Sequence, residues 1–212
     1  MQLTWYGHSC FSLKTDTGKN ILFDPIEYPK DSFDNIPNFD IMTLSNMYFS
    51  ANYSKSNFKN SIIIDRPGLF NINNLQIEGY CSYQDELNGL KRGKNIIYVV
   101  SVDNLRICHL GHLGHFLETE FLDTLNNIDI LITPIDCNFS LSGYKAAKLS
   151  SSLLPKYIIP SFSSNTASPS NDFREFISLM KNIKKLDCCT LDISNLSFSN
   201  YCETLILNPY KN

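Results

Sequence analysis

The chain has 212 residues, of which 43% are hydrophobic and 18% are charged. These proportions are typical of a globular protein in water, and the length predicts a single domain over residues 1–212, with two small domains as the less favoured alternative. The formal net charge of −3 is too small to indicate a polyanionic partner. We therefore expect neither nucleic acid nor a membrane surface as a partner.

The first six residues already read as a β-strand, without the basic and apolar regions of a signal peptide, and no run of about eighteen apolar residues follows. The seven cysteines are an odd number and form no Cys-x-x-Cys pair. This usage indicates reduced thiols and argues against a disulfide framework or a zinc ribbon. A cytoplasmic location is the expectation.

Short apolar and aromatic runs, separated by Gly, Pro and Asp, predict that the first half of the chain is a series of strands. The predicted strands are 3–6, 10–14, 21–23, 41–44, 61–64, an alternating run with Ile72, Leu75 and Ile77, and 96–100. Residues 46–60 are rich in Asn, Ser, Tyr and Lys with weak periodicity. We interpret them as a loop whose aromatic residues could form a binding surface.

Strand and helix alternate in the second half. Helical spacing is found around Phe121, over 142–154, and after a capping box formed by Asp172 and Glu175. The remaining strands are predicted at 128–134, 157–160, 191–198 and 204–207. A mixed α/β layered fold follows, with candidate site loops at the ends of strands.

Three of the four histidines lie within seven residues, at positions 109, 112 and 115, on a turn broken by glycines. The fourth, His8, follows a strand in a similar setting. Because neutral imidazoles bind metals and transfer protons, the histidine turn at 106–115 is either a working site or the remains of one.

Six blocks of sequence carry a resemblance to a known family. They are residues 3–11, with Gly7-His8-Ser9-Cys10; 22–25, with Phe23-Asp24-Pro25; 92–95; 107–115, with the three histidines; 129–134; and 155–160. In this order they resemble the metallo-β-lactamase-fold family of small zinc-dependent hydrolases, and most of all a short bacterial branch similar to the ascorbate-6-phosphate lactonase type. The resemblance implies an α/β fold, an αβ/βα four-layer sandwich of two mixed β-sheets with helices outside, and a site at one edge of the sheets.

In that family, a His-x-His-x-Asp-His loop and further His and Asp residues hold zinc, which activates a bound water. The resemblance aligns this loop with residues 46–51, so that Asn46, Tyr48 and Ala51 occupy the histidine places and Ser50 occupies the aspartate place. Elsewhere Gln84 and Phe162 replace histidines, and His112 replaces the bridging aspartate. We therefore expect no metal cofactor, although zinc is what the family implies.

The resemblance places a binding pocket at the former metal site. Its expected residues are His8, Asp24, Asn46, Tyr48, Ser50, Ala51, Gln84, His115 and Phe162. Two alternatives stay open: a relocated mononuclear metal site built from His8, His112 and His115, and metal-free catalysis by His112 with Cys137 and Asp136. The simplest interpretation is that His112 fills the space of the missing metals and that His109 is a core histidine with satisfied hydrogen bonds.

Two functions remain. The first is a metal-free pseudoenzyme that acts as a binding or regulatory subunit, either as a homo-oligomer or in association with a related subunit. The alternative is a hydrolase of a small phosphorylated or lactone-like substrate with an altered site, metal-dependent or metal-free.

Overall fold

The computed structural model describes residues 1–25, 38–46, 60–72, 74–136, 138–162, 170–197 and 202–210. The described strands are β1 (Gln2–Gly7), β2 (Cys10–Lys14), β3 (Asn20–Phe23), β4 (Ile41–Thr43), β5 (Ile62–Ile64), β6 (Gly68–Ile72), β7 (Leu75–Tyr83), β8 (Lys94–Val102), β9 (Leu105–His109), β10 (Ile130–Ile135), β11 (Tyr157–Phe162), β12 (Ile183–Lys185), β13 (Thr190–Asp192) and β14 (Glu203–Ile206). The described helices are α1 (Thr119–Thr124), α2 (Gly143–Leu153) and α3 (Asn171–Leu179).

The described strands form two sheets, and both sheets mix parallel and antiparallel pairs. One has the order β13-β1-β2-β3-β4-β5, in which β3, β4 and β5 are parallel. The other has the order β12-β14-β11-β10-β9-β8-β7-β6 and is parallel from β12 to β9 and antiparallel beyond. The predicted sandwich of two mixed sheets is confirmed, and the described helices pack on the outer face of the eight-stranded sheet.

Strand β8 shows how one segment supplies two cores. Its residues Ile96, Tyr98 and Val100 point into the core between the sheets. Ile97 and Val99 alternate with them and pack against the helices on the other face. Because successive side chains of a strand point to opposite faces, an almost continuous apolar run is required here. Burial of each such side chain is worth about 1.5–3 kcal/mol.

Tyr98 ties the two sheets together at one edge. Its hydroxyl lies 3.1 Å from the carbonyl oxygen of Leu44 and 2.9 Å from that of Ile64, just beyond β4 and at the end of β5. The amide of Ile96 donates to the carbonyl of Ser45 at 2.7 Å. These bonds fix the chain after β4 against β8, and this chain segment forms part of the candidate site.

Replacing Tyr98 by Phe should lower the free energy of unfolding by about 1–3 kcal/mol, because two buried carbonyls lose a hydrogen-bond partner. Urea unfolding measures the change. Tyr144→Phe is the matched control, since the Tyr144 side chain is exposed and its hydroxyl accepts a hydrogen bond from the exposed Lys148 at 3.2 Å. It should change stability by less than about 0.5 kcal/mol. Equal effects of the two substitutions would contradict the role given to Tyr98.

The capping box predicted from Asp172 and Glu175 is wrong. The residue that caps α3 is Ser170, whose hydroxyl accepts from the amide of Phe173 at 3.1 Å. The two carboxylates instead accept from the first amides of the neighbouring helix α2, Asp172 from Gly143 at 3.2 Å and Glu175 from Tyr144 at 2.9 Å. Local spacing alone could not show this contact between two helices.

The strand predicted at 191–198 is shorter in the structure. Strand β13 ends at Asp192, whose side chain accepts from the amide of Ser194 and starts a 3₁₀ turn at Ile193–Asn195. Strand β12 was not predicted, because its short polar sequence has no strand pattern. Within the described ranges, no helix has both the length and the apolar character needed to cross a membrane.

Candidate functional site

The candidate site lies where the ends of several strands meet at one edge of the sandwich. Asp24 follows β3 and Ser45 follows β4, while the histidine turn follows β9 on the facing sheet. Asp136 follows β10 and Phe162 ends β11. Parallel strands bring their carboxyl ends to the same edge, which explains why residues so far apart in sequence meet here.

Asp24 is the centre of a buried hydrogen-bond network. Its side chain has no exposed surface, and its carboxylate accepts from the amide of Ser45 at 2.7 Å and from the hydroxyl of the same serine. Ser9 also hydrogen-bonds to it. Burial raises the pKa of Asp24 to about 7, although the bonds from Ser45 and Ser9 favour the charged form and limit the rise.

His112 contacts this network through Ser9. Its Nε2 lies 3.0 Å from the Ser9 hydroxyl and 3.8 Å from Asp24 Oδ2, which is too long for a hydrogen bond. Burial, with a smaller effect from nearby His8, lowers the pKa of His112 to about 4. The ring is therefore neutral near pH 7, and its approach to Asp24 is not an ion pair.

His109 lies on the other side of Asp24. Its Nε2 donates to the carbonyl of Ser9 at 2.9 Å and its ring stacks on Phe23, with 5.2 Å between the ring centroids. Its Nδ1 lies 3.9 Å from Asp24 Oδ2 and has no hydrogen-bond partner among the described residues. Burial lowers the pKa of His109 to about 3. His109 is thus a core residue, but only one of its two nitrogens is satisfied.

A clamp around Gly111 holds the histidine turn in place. The Asn95 carboxamide accepts from the amide of His112 at 2.8 Å and donates to the carbonyl of Leu110 at 3.0 Å. Gly111 has a φ of +62°, and a Cβ atom there would lie 2.5 Å from the Cβ of Ser45 and 2.6 Å from Asn95 Oδ1. Sequence reasoning missed Ser9, Ser45 and Asn95, because small polar residues give no signal until the strands that carry them are paired.

A cavity of about 190 Å³ opens beside His112. Its described lining consists of His8, Ser9, Gly111, His112, Pro134, Ile135, Asp136, Phe139, Ser140, Ser161 and Phe162. Four of the residues predicted near the site, His8, His112, Asp136 and Phe162, thus share one cavity, with the buried Asp24 behind Ser9.

The structure separates Gln84 and His115 from this cavity. The His115 Nδ1 donates to the carbonyl of Phe116 at 2.7 Å, and its Nε2 accepts from the amide of Tyr83 at 3.2 Å. The Gln84 carboxamide donates to the carbonyl of Lys94 at 3.0 Å. The placement of these two side chains in the pocket was wrong, because backbone groups of the neighbouring loop engage them. A metal site shared by His8, His112 and His115 does not form for the same reason.

Asn46 is buried directly after Ser45. Tyr48, Ser50, Ala51 and Cys137 lie outside the described residues, as does most of the loop predicted at 46–60. The carboxylate of Asp136 accepts from the amide of Asn138 at 3.1 Å and thereby supports its own turn. The predicted combination of Asp136, His112 and the Cys137 thiol therefore stays a prediction.

The β-lactamase superfamily domain matches residues 2–161, which is well over half of the chain. The chain belongs to this superfamily. Its fold is that of the metallo-β-lactamase proteins, as the sequence resemblance predicted.

Curated relatives of this superfamily member match a short segment of it. One is a metal-dependent hydrolase of Natranaerobius thermophilus, 30% identical over 73 residues, which are 34% of this chain and 33% of that protein. Another, from Carboxydothermus hydrogenoformans, is 33% identical over 63 residues, which are 30% and 28% of the two chains. The chain thus spans about a third of the length of the curated relatives it matches.

Solved structures match nearly the whole chain. A Thermotoga maritima protein, described as a zinc-dependent hydrolase of the metallo-β-lactamase superfamily, has a TM-score of 0.73 and 25% identity, and the match covers 97% of each chain. A protein from Parabacteroides distasonis has a TM-score of 0.66 and 18% identity, with 98% of this chain and 93% of that chain covered. Because the identity of the second match is only 18%, this match shows a shared fold and nothing about function.

The described donors of this superfamily member do not fit a zinc ion. No group of three or more His, Cys, Asp and Glu side chains in the described ranges is arranged to hold a metal. The Asp24 carboxylate is occupied by the amide and hydroxyl of Ser45 and by Ser9, and His112 Nε2 is occupied by Ser9. A zinc site needs three or four free donors around one point.

Gly111→Ala should destabilise the protein by about 2–5 kcal/mol, which combines the cost of a left-handed alanine with that of overpacking against Ser45 and Asn95. Gly18→Ala is the matched control, because Gly18 has a φ of +81° but no atom within 4 Å of the added Cβ. It should cost about 1–2 kcal/mol. Chemical denaturation measures both, and equal losses would show that the turn is not clamped.

Asp24→Asn should change how stability depends on pH. Because the Asp24 pKa is raised, the folded protein keeps a proton that the unfolded chain releases near pH 4, so this contribution to stability is lost as the pH rises through about 7. The lowered pKa values of His109 and His112 act in the opposite direction, since stability falls when the pH drops below about 6.5.

The histidines are present in both proteins, so their contribution cancels in the comparison of the Asp24→Asn variant with the wild type. Urea unfolding between pH 5 and pH 8 should show the difference in stability moving in favour of the variant up to about pH 7 and levelling off above. Parallel stability curves over this range would be inconsistent with a carboxyl group of raised pKa.

Proposed function

We propose that this chain is a metal-free member of the superfamily, a pseudoenzyme that binds a small molecule in the cavity beside His112 and acts as a binding or regulatory subunit. The observation that carries the proposal is the network around Asp24. The Asp24 carboxylate and His112 Nε2, which could have offered donors to a metal, are instead hydrogen-bonded to the hydroxyls of Ser45 and Ser9. A location in the cytoplasm and association with itself or with a related subunit stay predictions.

The residue types at the family's ligand positions support this proposal. The resemblance puts Asn46, Tyr48, Ser50 and Ala51 where the family has its His-x-His-x-Asp-His loop. None of these side chains is a strong zinc donor. The single histidine gained at position 112 cannot replace four metal ligands that are missing from one loop.

Phe162 gives further support. It stands where the family has its last histidine, and it lines the cavity. Its ring packs against Trp5 and Phe173, with 5.0 Å and 4.2 Å between ring centroids. An apolar ring built into the wall in this way favours binding of a ligand's apolar surface over coordination of an ion.

A hydrolase with an altered site is the second candidate. It is favoured by the descriptions of the relatives, which are metal-dependent hydrolases in two species and a zinc-dependent hydrolase in Thermotoga maritima. A metal-free version would use His112 as the base with Asp136 and Cys137. The metal content of the purified protein is the simplest measurement that separates a metal-dependent hydrolase from the proposed metal-free protein.

Protein purified without chelator should contain far less than one zinc or manganese ion per chain by elemental analysis. A chelator should leave its melting temperature unchanged. It would lower that temperature only by removing a metal ion that is bound to the folded state and stabilises it. One equivalent of either metal per chain, lost together with stability on chelation, would overturn the proposal in favour of a metallohydrolase.

A variant with the family's ligand loop and bridging aspartate restored provides the positive control. It combines Asn46→His, Tyr48→His, Ser50→Asp, Ala51→His and His112→Asp. After circular dichroism has shown that it folds, this variant should retain zinc under the purification conditions that leave the wild type without it.

A further inference from the structure

The size of the cavity beside His112 limits what it can hold. Its volume is about 190 Å³. An apolar protein cavity of about 150 Å³ is known to accept benzene. The space beside His112 therefore suits one six-membered ring with a small substituent.

One wall of the cavity is apolar. It is formed by Pro134, Ile135, Phe139 and Phe162. The packing of Phe162 between Trp5 and Phe173 fixes the orientation of its ring. An aromatic ring of fixed orientation stabilises a second ring by offset or edge-to-face packing.

The charges on the lining disfavour an anion. Among the described residues that line the cavity there is no Lys or Arg, and the one charged carboxyl group is that of Asp136. A phosphate or carboxylate placed here would lose its hydration without gaining a permanent cation, which is costly. The lining thus disfavours the phosphorylated substrate considered from the sequence.

The polar lining groups mostly offer acceptors. The hydroxyl of Ser140 donates to the carbonyl of Asp136 at 3.3 Å, and that of Ser161 donates to the carbonyl of Thr133 at 3.4 Å. Their oxygen lone pairs, together with the Asp136 carboxylate, are left to accept from a ligand. The O–H group of a bound molecule would donate a hydrogen bond to one of these acceptors.

We infer that the cavity binds a small uncharged molecule with a single ring and a hydroxyl group, of the phenol class. This inference rests on the proposed metal-free function, since a metal would change the charge of the site. It goes further by naming the ligand's size, charge and hydrogen-bonding character.

Phenol itself is the probe, followed by saturation-transfer NMR and by calorimetry on the intact chain. Phenol should bind at least ten times more tightly than toluene, which lacks the hydroxyl group. Phenyl phosphate should fail to displace it at equal concentration. Displacement is the readout because the lining of a second cavity of about 290 Å³ includes the cationic residues Lys91, Arg92 and Lys145 beside the carboxylates of Asp85 and Glu86, so an anion could bind to the protein without entering the cavity beside His112.

Two exposed phenylalanines give a matched pair of variants. Phe139→Ala removes part of the cavity wall and should weaken phenol binding at least threefold, whereas Phe116→Ala should leave it unchanged, because Phe116 does not line the cavity. Ser161→Leu should abolish binding by filling the space. If the Ser161→Leu variant fails to fold, the comparison of Phe139→Ala with Phe116→Ala tests the inference without it.

The inference is overturned if phenol does not bind, if toluene binds equally well, if phenyl phosphate displaces phenol, or if Phe139→Ala and Phe116→Ala behave alike. Elemental analysis of the same sample keeps the two proposals apart. Failure of phenol binding in metal-free protein rejects the ligand class alone, whereas stoichiometric metal rejects the proposed function.

Discussion

The buried carboxyl group of Asp24 is the constraint on which this edge of the molecule depends. A carboxylate without solvent must be hydrogen-bonded or protonated, because an isolated buried charge is too costly. Here Ser9 and Ser45 supply the hydrogen bonds, and the pKa is raised to about 7. Since Ser45 comes from one sheet and His112 reaches the network from the other, the same bonds join the two sheets and close the site.

The fold then determines what such a closed site can do. Strands of both sheets end at this edge, and the histidine turn follows β9 across from Asp24. The Asn95 clamp and the glycine at position 111 bring the turn so close that His112 is held by Ser9. The engaged donors and the ring of Phe162 at this edge support the proposal that the chain is a pseudoenzyme that binds a small molecule here.

Much of the fold could be predicted from the sequence, because local patterns dictate it. Alternation in β1 and the helical spacing of α2 and α3 each reflect one buried face, whereas the apolar run of β8 reflects burial of both faces. The site was predictable only in part, since His8, Asp24, His112 and Phe162 lie in recognisable blocks. The positions of His115 and Gln84, and the true partners of Asp172 and Glu175, depend on contacts between distant segments that spacing does not encode.

We propose that His109 and His112 are neutral side chains hydrogen-bonded to Ser9 and are not metal ligands. Nitrogen-15 NMR of the histidine rings during addition of zinc tests it most directly. The ring signals of His109 and His112 should stay those of neutral imidazoles at pH 7 and should not shift with one equivalent of zinc. A stoichiometric shift of both signals to metal-bound positions would contradict it.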